Sequence, residues 1–457
     1  VFGYFEEICS IPHGSRNTRQ ISDYLVEFAG KHDLRYIQDD ADNVIIFGDA
    51  TPGYEDHPPI ILQGHMDMVC EQDADCTIDM AKEGLDVTHD GNVVFARGTT
   101  LGADNGIAVA MGMAILADKT IPHPPIELLI TSDEEIGLLG AAAADLSELK
   151  GRALINLDSE GEGIFTVSCA GGCVATIGLP VDRHAVYGPC IRLVVDGLQS
   201  GHSGADIHRN RGNANKIMGE FMSRIQKIMP LCLTSLAGGA KDNVIPGSCQ
   251  ATLVAMGINL ERINGIAEAL QAEVREQYDE PNATVQAFDV DALGGNSLST
   301  QSTAKVISLL CAAPNGVQSW SKDIAGLVQT SLNMGVVKLG DRLNVTLSVR
   351  SSVNSEKREL LDQLKKLAEM FEADYAEDGA YPAWEFKKES RLLDVMVSTY
   401  RELFGRDAKV EAIHAGLECG LFTEKIPGLD CVSIGPQMHD IHTSRERLEI
   451  GSTQRTW

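Results

Sequence analysis

Four short apolar runs, VIIFG (44–48), PIILQGH (59–65), IELLITS (126–132) and ALINLD (153–158), alternate with helix-patterned segments over the first 170 residues. That alternation is the strongest constraint on how the chain folds. NTRQISDYLVEFAGKH (17–32) carries the apolar spacing of a helix, and DNGIAVAMGMAILAD (104–118) returns to helix after the second strand-like run. Strands separated by helices pair mainly in parallel, with the helices covering the sheet. The fold class predicted is α/β, a mostly parallel sheet flanked by helices.

From about residue 187 the texture changes, and two successive blocks share one order of elements. The first reads helix (213–228), strand (233–239), strand (247–257), helix (260–277); the second reads helix (302–313), strand (327–337), strand (342–352), helix (356–374). A duplicated α+β unit is the natural reading. After YPAW (381–384), SRLLDVMVSTYRELFG and LDCVSIG resume the earlier pattern. The expected organisation is a discontinuous outer domain, 1–170 and 383–457, with a two-halved domain, 171–382, inserted in it.

A chain of 457 residues, 44% of them hydrophobic, can bury a core large enough for two domains. The formal charge of −27 repels phosphate backbones and anionic bilayers, so neither nucleic acid nor membrane is an expected partner. No run is long and apolar enough to span a bilayer, and the 11 scattered cysteines form no CxxC pair or disulfide framework. A soluble, cytoplasmic protein with reduced thiols is expected.

Acids and imidazoles gather at the carboxyl ends of the predicted strands. His65 and Asp67 follow PIILQG, Glu134 and Glu135 follow IELLITSD, Asp158 closes ALINLD, and His442 lies beyond LDCVSIGP; Asp104 opens a helix at the same edge. In an open parallel sheet those ends form the ligand crevice. Each residue alone also reads as something plainer. HxD is a surface or cap feature, DEE a solvated turn, and Asp104 an N-cap. Four such sites in one domain outweigh the plain readings. Two histidines and several carboxylates without cysteine suit Zn²⁺ or Mn²⁺, and two divalent ions would relieve the repulsion among the acids.

The blocks GHMDMV, GTTLGADNGIAVA, TSDEEIG, INLDSE and GPQMHDIHTSRE, in that order, resemble the co-catalytic zinc peptidases of the aminoacylase and carboxypeptidase superfamily. GLQSGHSGADIHRNRGNANKIM, KDNVIPG and HAGLECG resemble its aminoacyl-histidine dipeptidases of the PepD type. The resemblance implies two zinc ions, with manganese or cobalt as substitutes. Asp104 would bridge them, His65 and Asp158 completing one site and Glu135 and His442 the other. It makes Glu134 the general base and Asp67 the hydrogen-bond partner of the second His65 nitrogen, and it places a cis peptide at Asp104-Asn105. His202, Asn243, Arg350 and Gly416 of the inserted lid domain would contact substrate, although His202 in a plain turn and Arg350 paired with Glu356 are the competing readings. Asp158, where carboxypeptidases and deacylases of the superfamily carry Glu, favours a free amino terminus. The implied activity is hydrolysis of Xaa-His and related dipeptides, including carnosine-like β-Ala-His, by a homodimer joined through the lid. N-acyl-amino-acid deacylation or carboxypeptidase activity on the same scaffold is the alternative. HTSRE lacks the proline usual in the last motif, which puts the rigidity of that loop in question. His13, His32, His57, His89, His123 and His184 are expected to be solvated, His208 and His439 stay unassigned, and Cys70 and Cys419 lack a paired base.

Overall fold

The computed structural model describes residues 1–254, 257, 259–290 and 294–457; Ala255 and Met256, at the end of the strand expected over 247–257, lie outside the described residues. The chain divides into two compact units. One comprises Val1–Cys169, Phe386–Ala412 and Leu417–Trp457, the other Ala170–Glu385 with Ile413–Gly416.

The first unit is built on an eight-stranded sheet. Its order is Arg35–Gln38, Val44–Gly48, Ile126–Thr131, Ile60–His65, Ala153–Asn156, Asp430–Ser433, Ile164–Cys169, Lys409–Ile413. The middle four strands pair in parallel. Antiparallel strands flank them, so parallel pairing is confined to the centre rather than running through most of the sheet. Chain length explains the flank on one side: only residues 39–43 join Gln38 to Val44, too few for the crossover that parallel neighbours need.

Burial in this unit follows from composition. All six residues of Ile126–Thr131 are buried, the pattern of a strand covered on both faces. The helix Ala103–Ala117 has no polar face, and every residue from Asn105 to Ala114 is buried. A helix apolar all round must lie inside the protein. Gly64 permits its close approach to the strand Ile60–His65, since a Cβ there would sit 2.4 Å from Asn105 Oδ1 and 2.7 Å from the Ala108 Cβ. The large side chains of Ile107 and Met113 on this helix, and of Phe5 packed against it, are fully buried, each stabilising the unit by roughly 1.5–3 kcal/mol.

The second unit holds a nine-stranded sheet in which Thr284–Val290, Cys190–Asp196, Cys249–Val254 and Cys232–Gly238 are followed by Val328–Leu339, Arg342–Ser351, Gly171–Pro180 and Asp374–Tyr381. Gly316–Trp320 also pairs with Val328–Leu339. Every recorded pairing is antiparallel. The order shows the two halves. Reading outward from the centre, each side gives the two strands of one repeated block and then two outer strands. The helices Ala214–Gln226, Leu260–Tyr278, Thr300–Ala312 and Asn354–Met370 belong to the same blocks, and Met218, Phe221, Leu309 and Leu364 join one core. The helix expected over 356–374 stops at Met370. Glu372 turns to φ 56°, Ala373 N–H donates back to the Ala368 carbonyl, and a strand begins at Asp374. Among the described residues no helix is long and apolar enough to cross a membrane.

Candidate metal centre

Parallel pairing brings the carboxyl ends of the central strands together. His65 is the last residue of its strand and lies beside Thr131 in register; Asp158 follows Asn156, and the segment beyond Ser433 leads to His442. Asp104 sits in the first turn of the buried helix, after Gly102 at φ 68°, and the Asp104-Asn105 peptide is cis.

Each oxygen of Asp104 faces a different histidine. Oδ1 is 3.2 Å from His65 Nε2, and Oδ2 is 3.2 Å from His442 Nε2. Asp158 Oδ1 lies 3.4 Å from the same His65 nitrogen, and Glu135 Oε1 lies 2.8 Å from the same His442 nitrogen. The donor atoms of His65, Asp104 and Asp158 lie within 4.8 Å of one another. So do those of Asp104, Glu135 and His442, and those of His65, Glu134 and Glu135.

Packing acids this closely has an electrostatic cost that the side chains register. Burial raises Asp158 to about 6, with Asp104 and Glu135 adding to the shift. Burial likewise pushes Glu134 well above the usual carboxylate range. Burial acts on Asp104 in the same direction, but hydrogen bonds from His442 and His65 hold it below its ordinary value. Bonding to Asp104 and Glu135 lifts His442 to about 11. Burial disfavours charge on His65, yet Asp158, Asp104 and Asp67 hold it well above the usual imidazole value. Such a site demands positive charge. Imidazole nitrogens and carboxylate oxygens without thiolate fit divalent cations of the zinc and manganese kind, so the residues present suit a metal centre.

The acidic triplet 133–135 resolves into three directions. Asp133, at φ 49°, accepts from Arg16 N–H at 2.6 Å. Glu135 faces His442, and Glu134 belongs with the His65 group. Asp67, almost fully buried, holds this turn: its carboxylate accepts from Glu134 N–H (2.9 Å), Glu135 N–H (3.4 Å) and Ser15 Oγ (2.8 Å). The expected carboxylate bond to His65 is modified accordingly. The Asp67 main-chain carbonyl is nearer to His65 Nδ1, at 3.0 Å, than is Oδ1, at 3.4 Å, because the turn amides and Ser15 engage the carboxylate.

The remaining anticipated residues lie in the second unit. His202 sits in a two-residue bridge with Val244–Ile245, and the Asn243 carbonyl accepts from Ser203 N–H at 2.8 Å. His202 Nδ1 accepts from the N–H groups of Gly204 and Ala205, so the ring proton belongs on Nε2. Burial and the Arg350 charge keep this ring below its ordinary pKa. Arg350 donates to Tyr381 Oη at 3.1 Å, and Gly416 lies against the Tyr381 ring. Glu356, the competing partner for Arg350, is engaged by Ser319, Gln329 and Thr330.

Several residues passed over in the sequence belong to these clusters. Asn105 receives His65 N–H on Oδ1 and donates to the Leu157 carbonyl, joining two ligand segments. His414 meets Ser331 Oγ at 2.7 Å and is lowered to about 3 by burial, with Arg350 and His202 contributing. Glu418, in the HAGLECG motif, is fully buried and bonded to Gln63 and Thr131. His13 was expected in solvent but is 2% exposed, because its Nδ1 meets the Ile11 carbonyl and its Nε2 is buried near Gly102. Burial raises the Cys70 and Cys419 thiols, which argues against a thiolate nucleophile.

Comparison with known proteins shows the family. The chain is 36% identical, over 99% of its own length and 94% of the relative's, to the cytosol non-specific dipeptidase of Escherichia coli (strain K12). The crystal structure of aminoacylhistidine dipeptidase from Vibrio alginolyticus matches with a TM-score of 0.91 and 35% identity, covering 100% of this chain and 94% of that one. Aminopeptidase PepT from Bacillus cereus, at 16% identity and a TM-score of 0.56 over 100% of this chain and 94% of that one, shares the fold. The model of peptidase family M20/M25/M40 matches residues 61–456, and the chain belongs to that family.

Proposed function

We propose that this protein hydrolyses dipeptides, Xaa-His and carnosine-like β-Ala-His among them, in a metal-dependent reaction with Glu134 as general base. The observation that carries the reading is the placement of Asp104, each of whose oxygens faces a histidine that is paired with a further carboxylate. The names of the two full-length relatives support dipeptides over N-acyl amino acids.

His65 and Asp158 would hold one cation and Glu135 and His442 the other, with Asp104 shared. Zinc is the proposed metal, and manganese or cobalt its substitutes. Two such ions supply charge that lowers the pKa of water and polarises a peptide carbonyl. Glu134, whose buried surroundings raise its affinity for a proton, takes one from the attacking water and passes it to the leaving amine. Asp67 holds the Glu134 backbone in place for that transfer. His202, with its proton on Nε2, is suited to donate to the developing oxyanion. Arg350 is the proposed anchor for the substrate carboxylate, and Asn243 and Gly416 are further contacts. The proposal includes a homodimer through the second unit and a cytoplasmic location, the latter supported by the cytosolic relative.

The test is turnover of Xaa-His and other dipeptides by dialysed protein with and without Zn²⁺, beside Glu134→Ala. The variant is expected to retain both cations and to lose at least 100-fold in kcat, about the least that general base catalysis contributes. Normal turnover by the variant would reject the base assignment, and indifference of the wild type to chelation would reject the metal-dependent reaction.

A further inference from the structure

Glu446 ligates nothing in the arrangement above, yet it touches both loops that supply the ligands. Its side chain is 3% exposed. Oε2 accepts from the N–H groups of Leu101 (2.8 Å) and Gly102 (3.1 Å), and Oε1 accepts from those of Ala103 (2.8 Å) and Asp104 (3.4 Å). These amides open the buried helix, where no intrahelical acceptor reaches them, and the helix dipole favours an anion there. Gly102, at φ 68°, lets successive N–H groups converge on one carboxylate. A local N-cap could satisfy one or two of them, but the cap position is Gly102 itself, which has no side chain. The acid comes instead from 342–345 residues along the chain.

At its other end Glu446 belongs to the loop of His442. Its N–H donates to the Thr443 carbonyl at 3.1 Å, and Thr443 Oγ donates to the Asp440 carbonyl at 2.7 Å, closing a turn around His442 at φ 57°. One carboxylate therefore ties the segment that delivers Asp104 to the segment that delivers His442, the residues whose side chains meet at 3.2 Å. We propose that Glu446 is a positioning residue that fixes the separation of Asp104 and His442, and through it the affinity of the site formed by Asp104, Glu135 and His442 for a divalent cation. This rests on the metal-centre reading given above. It would also hold in place a loop that lacks the expected proline, because the four hydrogen bonds anchor its Glu446 end to the 101–104 segment.

Glu446→Gln separates this role from space filling. The amide has nearly the same volume, but its NH₂ would face two of the four N–H donors. Equilibrium dialysis against buffered Zn²⁺ should show two equivalents bound by the wild type. In the variant, one equivalent should bind 10- to 100-fold more weakly, the range typical when a group orienting a metal ligand is removed. The visible spectrum of the cobalt-loaded variant should change with it, and kcat should recover as Zn²⁺ is raised. Two equivalents bound with wild-type affinity and a wild-type cobalt spectrum would overturn the proposal. A wild type that binds no cation would overturn the metal-centre reading and this proposal with it. Independently of whether the variant folds, hydrogen exchange of the metal-free wild type is informative. A peptide spanning residues 98–105 should exchange slowly if Glu446 holds these amides, and fast exchange would refute the clamp.

Discussion

Glu418 provides a quantitative test of how the first unit is assembled. Its carboxyl is fully buried, with Oε2 2.5 Å from Gln63 Nε2 and 2.7 Å from Thr131 Oγ, while Asn156 donates to Gln63 Oε1 behind it. Oε1 is buried with no hydrogen-bond partner among the described residues. Burial raises the group to about 8, against an ordinary value of 4.5. The folded protein therefore keeps this proton up to about pH 8, whereas the unfolded chain releases it above about pH 4.5. Between those limits the folded state binds more protons, so stability falls as pH rises. At about 1.4 kcal/mol per pH unit, the full window is worth at most on the order of 5 kcal/mol. Glu418→Gln removes the titration and can keep both contacts, since its carbonyl can take the place of Oε2 and accept from Gln63 and Thr131 alike, while its NH₂ takes the position of Oε1. Urea denaturation of metal-free wild type and variant, followed by circular dichroism, should give stabilities within about 1 kcal/mol of each other near pH 5. Near pH 8.5 the variant should be the more stable by a few kcal/mol. Ionisable groups remote from Glu418 act on both proteins alike, so the difference reports Glu418 together with the buried neighbours it faces, His65, Asp158 and Glu134. Parallel pH profiles for the two proteins would refute the reasoning and mean that the carboxylate is ionised in the fold.

Two further outcomes follow from the proposed roles. Arg350→Ala should raise KM for dipeptides by roughly 10- to 100-fold, the equivalent of one charge-assisted hydrogen bond, with a smaller effect on kcat; an unchanged KM would reject the anchor. Asp67→Ala leaves the Glu134 and Glu135 amides and Ser15 without their acceptor. It should weaken Zn²⁺ binding about 10-fold or more in equilibrium dialysis and lower kcat as well, and wild-type values of both would show that the turn holds itself.

What the sequence made legible, and what it did not, divides along the range of the interactions. His65, Glu135, Asp158 and His442 could be placed because each follows an apolar run, and parallel strands deliver their carboxyl ends to one edge. The repeated helix, strand, strand, helix order likewise gave the two halves of the second unit, since each repeat carries its own periodicity. The outer strands of that sheet left weaker traces. Asp374–Tyr381 reads DYAEDGAY, with no residue of it buried, and an edge strand of this kind lacks the alternation that marks a half-buried one. Residues whose role depends on distant partners gave no signal of that role, even where they lie inside a singled-out block, as Glu418 does in HAGLECG and Glu446 at the end of GPQMHDIHTSRE. Glu418 meets Gln63 and Thr131 across 355 and 287 residues, and Glu446 meets the Asp104 loop across more than 340. No local pattern distinguishes such an acid from a solvated one. His13 shows the same limit from the other side, because IPHGS reads as an exposed turn until the Met68 and Gly102 segments close over it. A buried acid facing backbone amides costs the fold its hydration, and only the geometry of the amides it serves can offset that cost. Acids that close hydrogen-bond sets between remote loops are therefore the class of functional residue for which the sequence of one chain is least informative and the structure most.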